Sequence, residues 1–142
     1  MLIRVVISFF MLFLFRAEAI ELISLKKGEN FYYFFENNSF SDKYYPETFI
    51  AGSCEQMANI CPIVTDKSGE DIKILTIVSR FDMSHSKRVK INRHNIYGGK
   101  VTIDWLVERF TLKKGSYKVK FRYMDWDKKE HIDSNEVEFK VE

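Results

Sequence analysis

The strongest structural signal in this chain is a strict alternation of apolar and charged side chains near its C-terminus. Segment 117–123 places aromatic and aliphatic residues at every second position and cationic residues between them: Tyr117, Val119, Phe121 and Tyr123 against Lys118, Lys120 and Arg122. A two-residue period matches the pleat of a β-strand, whose successive side chains point to opposite faces. The segment therefore predicts a strand that is buried on one face.

The same alternation recurs at 137–141, where the intervening residues are mostly acidic. Opposite charges on the outer faces of the two segments predict that they pair as an antiparallel hairpin. Segment 101–107 also alternates and predicts a strand, with a helix over 104–110 as the weaker alternative. Segment 72–78 is almost continuously apolar and predicts a central strand.

Shorter strand candidates lie at 20–25, 31–35, 48–51 and 89–91. Clusters of turn-forming residues separate the candidates, at 27–30, 37–39, 67–70, 97–99 and 113–115. Only segment 54–61 offers a further helical turn. Many short strands with few helical patterns predict an all-β domain: a single antiparallel β-sandwich of about seven to eight strands, spanning residues 20–142.

The N-terminal segment 1–19 has the three parts of a signal peptide. Arg4 supplies a positive charge, Val5–Phe15 is an apolar run of eleven residues interrupted only by Ser8, and Ala17-Glu18-Ala19 provides small residues before a cleavage point. The run is too short to span about 30 Å of hydrocarbon, which leaves an uncleaved anchor as the weaker alternative. We therefore expect a secreted or periplasmic protein, with no membrane span after cleavage.

The net charge and the chain length indicate a single domain that does not bind nucleic acid. Removing residues 1–19 leaves a net charge of +1, which argues against a nucleic-acid partner. A chain of this length folds as one domain and buries about two-thirds of its unfolded surface. It needs neither a metal nor many disulfides to form a core.

Cys54 and Cys61 are the only cysteines. In an oxidising compartment this pair predicts a local disulfide that stabilises the fold by about 2–3 kcal/mol. Their spacing is wider than the C-x-x-C of redox and zinc sites.

Segment 112–119, Leu-Lys-Lys-Gly-Ser-Tyr-Lys-Val, resembles the L-x-x-G-x-Y-x-[CV] segment that opens the penultimate strand of immunoglobulin-like sandwiches. The resemblance implies a tyrosine corner built from Leu112, Gly115 and Tyr117, in which the tyrosine hydroxyl bonds to backbone a few residues upstream. Val119 stands where an antibody domain has its second core cysteine. The resemblance implies a sandwich and carries no functional residue with it.

Candidate binding residues come from exposed aromatic and basic positions. The aromatic run 31–35 and its neighbours could stack on sugars or anchor a protein partner. The individual candidates are Tyr44, Tyr45, Tyr123 and Trp126, together with Lys87 and Arg88 from the basic segment 85–94. Solvated charges on an edge strand are the ordinary alternative for the two basic residues.

No motif for a nucleophile elbow, a metal site or a phosphate loop is present, so we expect a protein that is not an enzyme and uses no cofactor. The acidic segment 125–133 lacks the glycine and glutamate positions of an EF-hand and predicts a solvated hairpin loop. Asn37-Asn38-Ser39 is a glycosylation sequon that matters only in a eukaryotic secretory pathway.

Three functions fit these features. The first is an extracytoplasmic binding or structural module for an unknown protein partner. The alternatives are a carbohydrate-binding module, and a secreted protease inhibitor with an immunoglobulin-like fold that presents loops such as 83–99.

We predict that the mature protein begins at Ile20, because Ala17 and Ala19 fill the two small-residue positions before the cleavage point. N-terminal sequencing of the exported protein is the measurement. An exported chain that begins at Met1 would contradict the prediction.

Overall fold

A computed structural model describes residues 20–46, 54, 60–74, 88–125 and 129–142. These residues form nine strands and one helix in an all-β architecture of antiparallel sheets, one strand more than expected. The strands are β1 (Ile20–Lys27), β2 (Asn30–Asn37), β3 (Lys43–Pro46), β4 (Ile60–Asp66), β5 (Arg88–Ile91), β6 (Ile96–Thr102), β7 (Gly115–Asp125), β8 (Glu130–Asp133) and β9 (Val137–Val141), and helix α1 is Ile103–Phe110.

The first sheet has the strand order β1-β2-β6. A tight turn with Gly28 in the left-handed region joins β1 to β2, as the turn signal at 27–30 predicts. Strand β2 buries every second side chain on its inner face: Phe31, Tyr33, Phe35 and Asn37. Since β2 is the central strand, its alternation sets the inner face of the whole sheet.

Gly98 and Gly99 lie inside β6, so the turn predicted at 97–99 is wrong. Both glycines are needed for close approach of β2. A Cβ on Gly98 would collide with the carbonyl oxygen of Tyr33, and a Cβ on Gly99 would collide with the Tyr33 side chain. The glycine pair thus lets an aromatic ring lie against strand backbone, which is a different role from a turn.

The second sheet is built around β7, which pairs with β4 on one side and with β8 and β9 on the other. The predicted pairing with 137–141 is confirmed for the first part of β7, with Lys118 opposite Glu138, whereas Arg122 and Tyr123 pair with β8. The register shifts by one residue between β8 and β9, which defines a bulge at 134–136. There the amide of Phe121 donates to the Ser134 hydroxyl at 2.9 Å, so the hydroxyl replaces a backbone carbonyl.

Aromatic rings join the inner faces of the two sheets. Successive inner residues of β2 each contact a ring of the second sheet, in the pairs Phe31–Phe139, Tyr33–Phe121 and Phe35–Tyr123, with centroids 5.1–5.2 Å apart. Val64, Val119 and Ile60 belong to the same core. Tilted and edge-to-face rings at these distances stabilise a core beyond their buried area.

A two-stranded ribbon, β3 and β5, lies beside the first sheet. Tyr45 stacks on Phe35 at 5.4 Å, and Ile91 is fully buried. The side chain of Asn37 holds the ribbon in place: its Nδ2 donates to the carbonyls of Ile91 and Ser41, and its Oδ1 accepts from Ser39. A buried amide with all these partners ties the ribbon to β2 in one geometry.

Ser24 and Asn135 form a second polar link, between β1 and the bulge of the second sheet. The Asn135 side chain accepts from the Ser24 amide and donates to the Ser24 carbonyl, both at 2.9 Å. The Ser24 hydroxyl donates to the Asn135 carbonyl at 2.8 Å. The side chain of Asn135 therefore occupies the place of a neighbouring strand at the free edge of β1.

The strand predicted at 101–107 is wrong beyond Thr102, because Ile103–Phe110 is helix α1. The Thr102 hydroxyl accepts from the amide of Trp105 at 3.1 Å and caps the helix. Residues Ile103, Leu106 and Phe110 are buried at helical spacing. The cap and the helical spacing of the buried residues favour a helix here, although the two-residue alternation is compatible with a strand.

Two further expectations fail in segment 54–74. Residues 72–74 are not in a strand, and Ile72 donates to the Val64 carbonyl at the edge of β4. The central strand of this sheet is instead β7. Residues 75–78 and the candidate 48–51 lie outside the described residues. Strand β4 begins at Ile60, within the segment predicted as a helical turn. The predicted disulfide between Cys54 and Cys61 is confirmed, with Cα atoms 5.2 Å apart.

Tyr117 opens β7 at the position that the immunoglobulin-like resemblance marks. Its hydroxyl donates to the carbonyl of Lys113 at 2.7 Å, four residues upstream, and its ring contacts Phe139. A Cβ on Gly115 would come within 3.4 Å of the same hydroxyl. The ring is only half-buried, so the Lys113 carbonyl stays accessible to water when the hydroxyl is removed.

We therefore predict that Tyr117→Phe lowers the free energy of unfolding by about 0.5–1.5 kcal/mol, the net value of one hydrogen bond. Tyr117→Ala also removes the contact with Phe139 and should cost about 2–4 kcal/mol. Chemical denaturation compares both variants with Ser116→Ala. This substitution alters an exposed neighbouring residue and should change the free energy of unfolding by less than about 0.5 kcal/mol. Equal effects at positions 116 and 117 would contradict this ordering.

Candidate interaction surface

The outer face of the first sheet carries apolar side chains on each of its three strands. Alternation turns every second residue of β2 away from the core, and the neighbouring strands add aliphatic side chains beside them. This outer strip consists of Ile23, Leu25, Tyr32, Phe34 and Ile96. Ile96 is 64% exposed and Leu25 is 42% exposed, while the other three are half-buried.

The register brings the strip together. Leu25 pairs with Tyr32, Ile23 pairs with Phe34, and Gly98 lies opposite Phe34 on the other side. The missing side chain at Gly98 leaves a shallow groove of about 340 Å³ between the Phe34 and Ile96 positions. A contiguous exposed apolar surface of this kind is typical of a binding site on a soluble protein.

Charged residues border the outer strip at both ends. Glu21 and Glu36 are paired neighbours at one end, and Lys100 lies beside Tyr32 at the other. An apolar centre with a charged border is the usual composition of a protein-binding surface.

The individually predicted binding residues do not form one site. Tyr123 is 3% exposed, and its ring packs on Phe35 and Tyr45, so Tyr123 and Tyr45 belong to the core side of the ribbon. Tyr44 is 59% exposed on the opposite face of β3, and Arg88 begins β5. Lys87 and Trp126 lie outside the described residues.

The outer strip was only partly predictable. The aromatic run 31–35 contains both faces of β2, and alternation shows that Tyr32 and Phe34 point away from the inner residues of that strand. The residues that sequence reasoning missed are Ile23, Leu25 and Ile96, because they join the strip only through strand pairing.

The sequon at Asn37 is inaccessible in the folded protein. Asn37 is fully buried, and its Nδ2, the atom to which a glycan would be attached, donates to two backbone carbonyls at 2.9 and 3.0 Å. The hydroxyl of Ser39 is also buried and donates to Asn37. The two sequon residues therefore serve the fold, as the link between β2 and the ribbon.

The outer face of the second sheet is polar. Arg122 donates two parallel hydrogen bonds to the Asp133 carboxylate at 2.6 and 2.7 Å, and Lys120 approaches the same carboxylate at 3.0 Å. The hydrogen bonds from Arg122, and secondarily that from Lys120, lower the pKa of Asp133 to about 2. The same pairing raises the pKa of Arg122.

The acidic segment 125–133 is shorter as a loop than predicted, because Glu130–Asp133 forms β8 and pairs with the end of β7. Within the described ranges, no group of three or more histidine, cysteine, aspartate or glutamate side chains is placed to hold a metal ion. No helix in the described part of the chain is long and apolar enough to cross a membrane.

Comparison with family models, with curated proteins and with solved structures found no match to this chain.

The lowered pKa of Asp133 predicts a specific dependence of stability on pH. Above about pH 4 the carboxylate is ionised in both the folded and the unfolded protein, and its pairing stabilises the fold. As the pH falls from about 4 to about 2, the unfolded chain takes up the proton first, so this stabilisation is lost.

Asp133→Asn should lower stability by about 1 kcal/mol at pH 7, because the pair is partly exposed, and the difference from wild type should shrink toward pH 2. Denaturation from pH 7 to pH 2 measures this difference. Glu130→Gln is the matched control, since it removes an exposed carboxylate from the same strand without touching the Arg122 pair. A difference that is constant across this pH range would disprove the assignment.

Proposed function

We propose that this protein is a non-catalytic, extracytoplasmic binding module that holds a protein partner against the outer strip of its first sheet. The observation that carries the proposal is that aliphatic and aromatic side chains on three adjacent strands are accessible to solvent on one face of the sheet. Burial of one such large apolar side chain against a partner contributes about 1.5–3 kcal/mol.

The composition of the outer strip favours a protein over a glycan. Sugars bind to flat aromatic rings that are accompanied by polar side chains, whereas the most exposed members of the strip are the aliphatic Ile96 and Leu25. The groove at Gly98, between Phe34 and Ile96, also accepts an apolar side chain from a partner.

A carbohydrate-binding module is the second candidate, on a different surface. Tyr44 is 59% exposed on β3, next to Lys43 and opposite Lys90. An exposed tyrosine ring suits a sugar, although the Lys90 ammonium beside it is already paired with the Asp42 carboxylate at 2.7 Å. Tyr44 has no exposed aromatic partner on the opposite strand, which makes this the weaker proposal.

The extracytoplasmic location and the immunoglobulin-like architecture are parts of the same proposal. The apolar segment 5–15 and the disulfide support the location. The ring contacts between two antiparallel sheets and the hydrogen bond from Tyr117 to Lys113 support the architecture. Inhibition of a protease by segment 83–99 stays a prediction from the sequence.

The proposal is tested by affinity capture from the extracytoplasmic fraction of the native cells, with Leu25→Glu as the variant. Leu25 lies on β1 at the surface, so the charge should leave the fold intact while lowering the affinity for the captured partner at least about tenfold. Phe40→Glu is the matched control, because Phe40 is 77% exposed and lies outside the strip.

Support requires a partner that the wild type and Phe40→Glu capture and that Leu25→Glu does not. Capture that is equal for all three proteins would place the binding site elsewhere. A glycan array on which the wild type binds and Tyr44→Ala does not would replace the protein partner with a carbohydrate.

A further inference from the structure

Three of the four outer edges of the two sheets carry groups that hinder pairing with another chain. Asn135 occupies the edge of β1 at Ser24, the bulge at 134–136 interrupts the edge formed by β8 and β9, and Ile72 hydrogen-bonds to the edge of β4. Such devices prevent association between sheet edges. Among the described residues, no strand pairs with the remaining edge, the outer side of β6.

The backbone groups at that edge follow from the ladder. The carbonyl of Asn95 accepts from the amide of Asn37, so Asn95 faces β2. Because successive residues of a strand direct their amide and carbonyl groups to opposite sides, the groups of Ile96, Gly98 and Lys100 point away from β2. Three consecutive donor and acceptor pairs are thus directed outward from a strand that carries glycine at its centre.

We propose that a second copy of this chain binds here, with the two β6 strands pairing antiparallel about a two-fold axis at Gly98. In this register Gly98 lies opposite Gly98 of the second copy, and Ile96 lies opposite Lys100 of the second copy. All three outward residues fall at hydrogen-bonded positions, which gives about six backbone hydrogen bonds across the axis. The two first sheets become one continuous sheet of six strands.

The side chains on the outer face fit the same register. Lys100 of the second copy lies beside Ile96, whose other neighbour is Glu36. The lysine side chain can cover the exposed surface of Ile96 and bring its ammonium group to the Glu36 carboxylate, and symmetry repeats the contact. Glycine on the axis leaves no side chains to collide where the two strands meet.

Self-pairing of β6 uses the edge of the sheet and shares with the outer strip only Ile96 and the groove at Gly98. Leu25, which tests the function, lies on β1 at the opposite edge. Each proposal can therefore fail alone.

Two single-cysteine variants test the register directly. Ile96→Cys and Lys100→Cys should each stay uncross-linked on mild oxidation, because each position lies far from its own symmetry mate. An equimolar mixture of the two should form a covalent heterodimer at the 96–100 pair. Non-reducing electrophoresis is the measurement, and cross-linking of either variant alone, or no cross-linking of the mixture, overturns the register.

A charge exchange tests the association itself by sedimentation of the full mature protein across a concentration series. Lys100→Glu should weaken the dimer on the order of tenfold, because it faces Glu36 of the other copy, and adding Glu36→Lys should restore it. Lys114→Glu is the control, an exposed change in a turn that should leave the mass unchanged. A wild type that is monomeric at every concentration overturns the proposal.

Discussion

The structure depends on the row of aromatic contacts between β2 and the second sheet. Each inner aromatic residue of β2 meets a ring of β7 or β9, so the register of one central strand determines where the two sheets lie relative to each other. A slip of one residue would turn Phe31, Tyr33 and Phe35 outward and place Tyr32 and Phe34 in the core. The glycine pair in β6 helps to exclude that slip, because only there can the Tyr33 side chain approach the neighbouring backbone so closely.

Side-chain hydrogen bonds fix the elements that the aromatic contacts do not reach. The Asn37 side chain ties the ribbon to the end of β2, and Asn135 ties β1 to the bulge of the second sheet. Both are amide side chains that imitate a peptide group by donating and accepting at once. Local patterns do not reveal such links, because they join residues that lie far apart in the sequence. This is why Asn37 suggests only a sequon until its surroundings are known.

The sequence predicted strands well where one face is apolar and the other is charged. Strands β7 and β9 and their pairing follow from alternation, because their outer faces carry opposite charges. Helix α1 was only the weaker alternative at 104–110, because Ile103, Trp105 and Val107 fit the two-residue period of a strand. The Thr102 cap and the buried Leu106 are what distinguish the two. Strand β4 was missed because a proline and the disulfide obscure its pattern.

The outer strip shows why the exposure of apolar residues on a sheet is hard to predict. An aromatic run such as 31–35 is ambiguous, because a strand that is covered on both faces has the same composition as one with an exposed apolar face. Exposure is decided by what the fold places over the outer face, and here Ile96 and Leu25 stay accessible on the flanking strands. Exposed apolar side chains lower solubility, and in the function that we propose a bound partner offsets this cost. The Asn135 amide at β1 and the bulge between β8 and β9 hinder pairing at those edges, which is why our two proposals fall on the outer face of the first sheet and on the edge of β6.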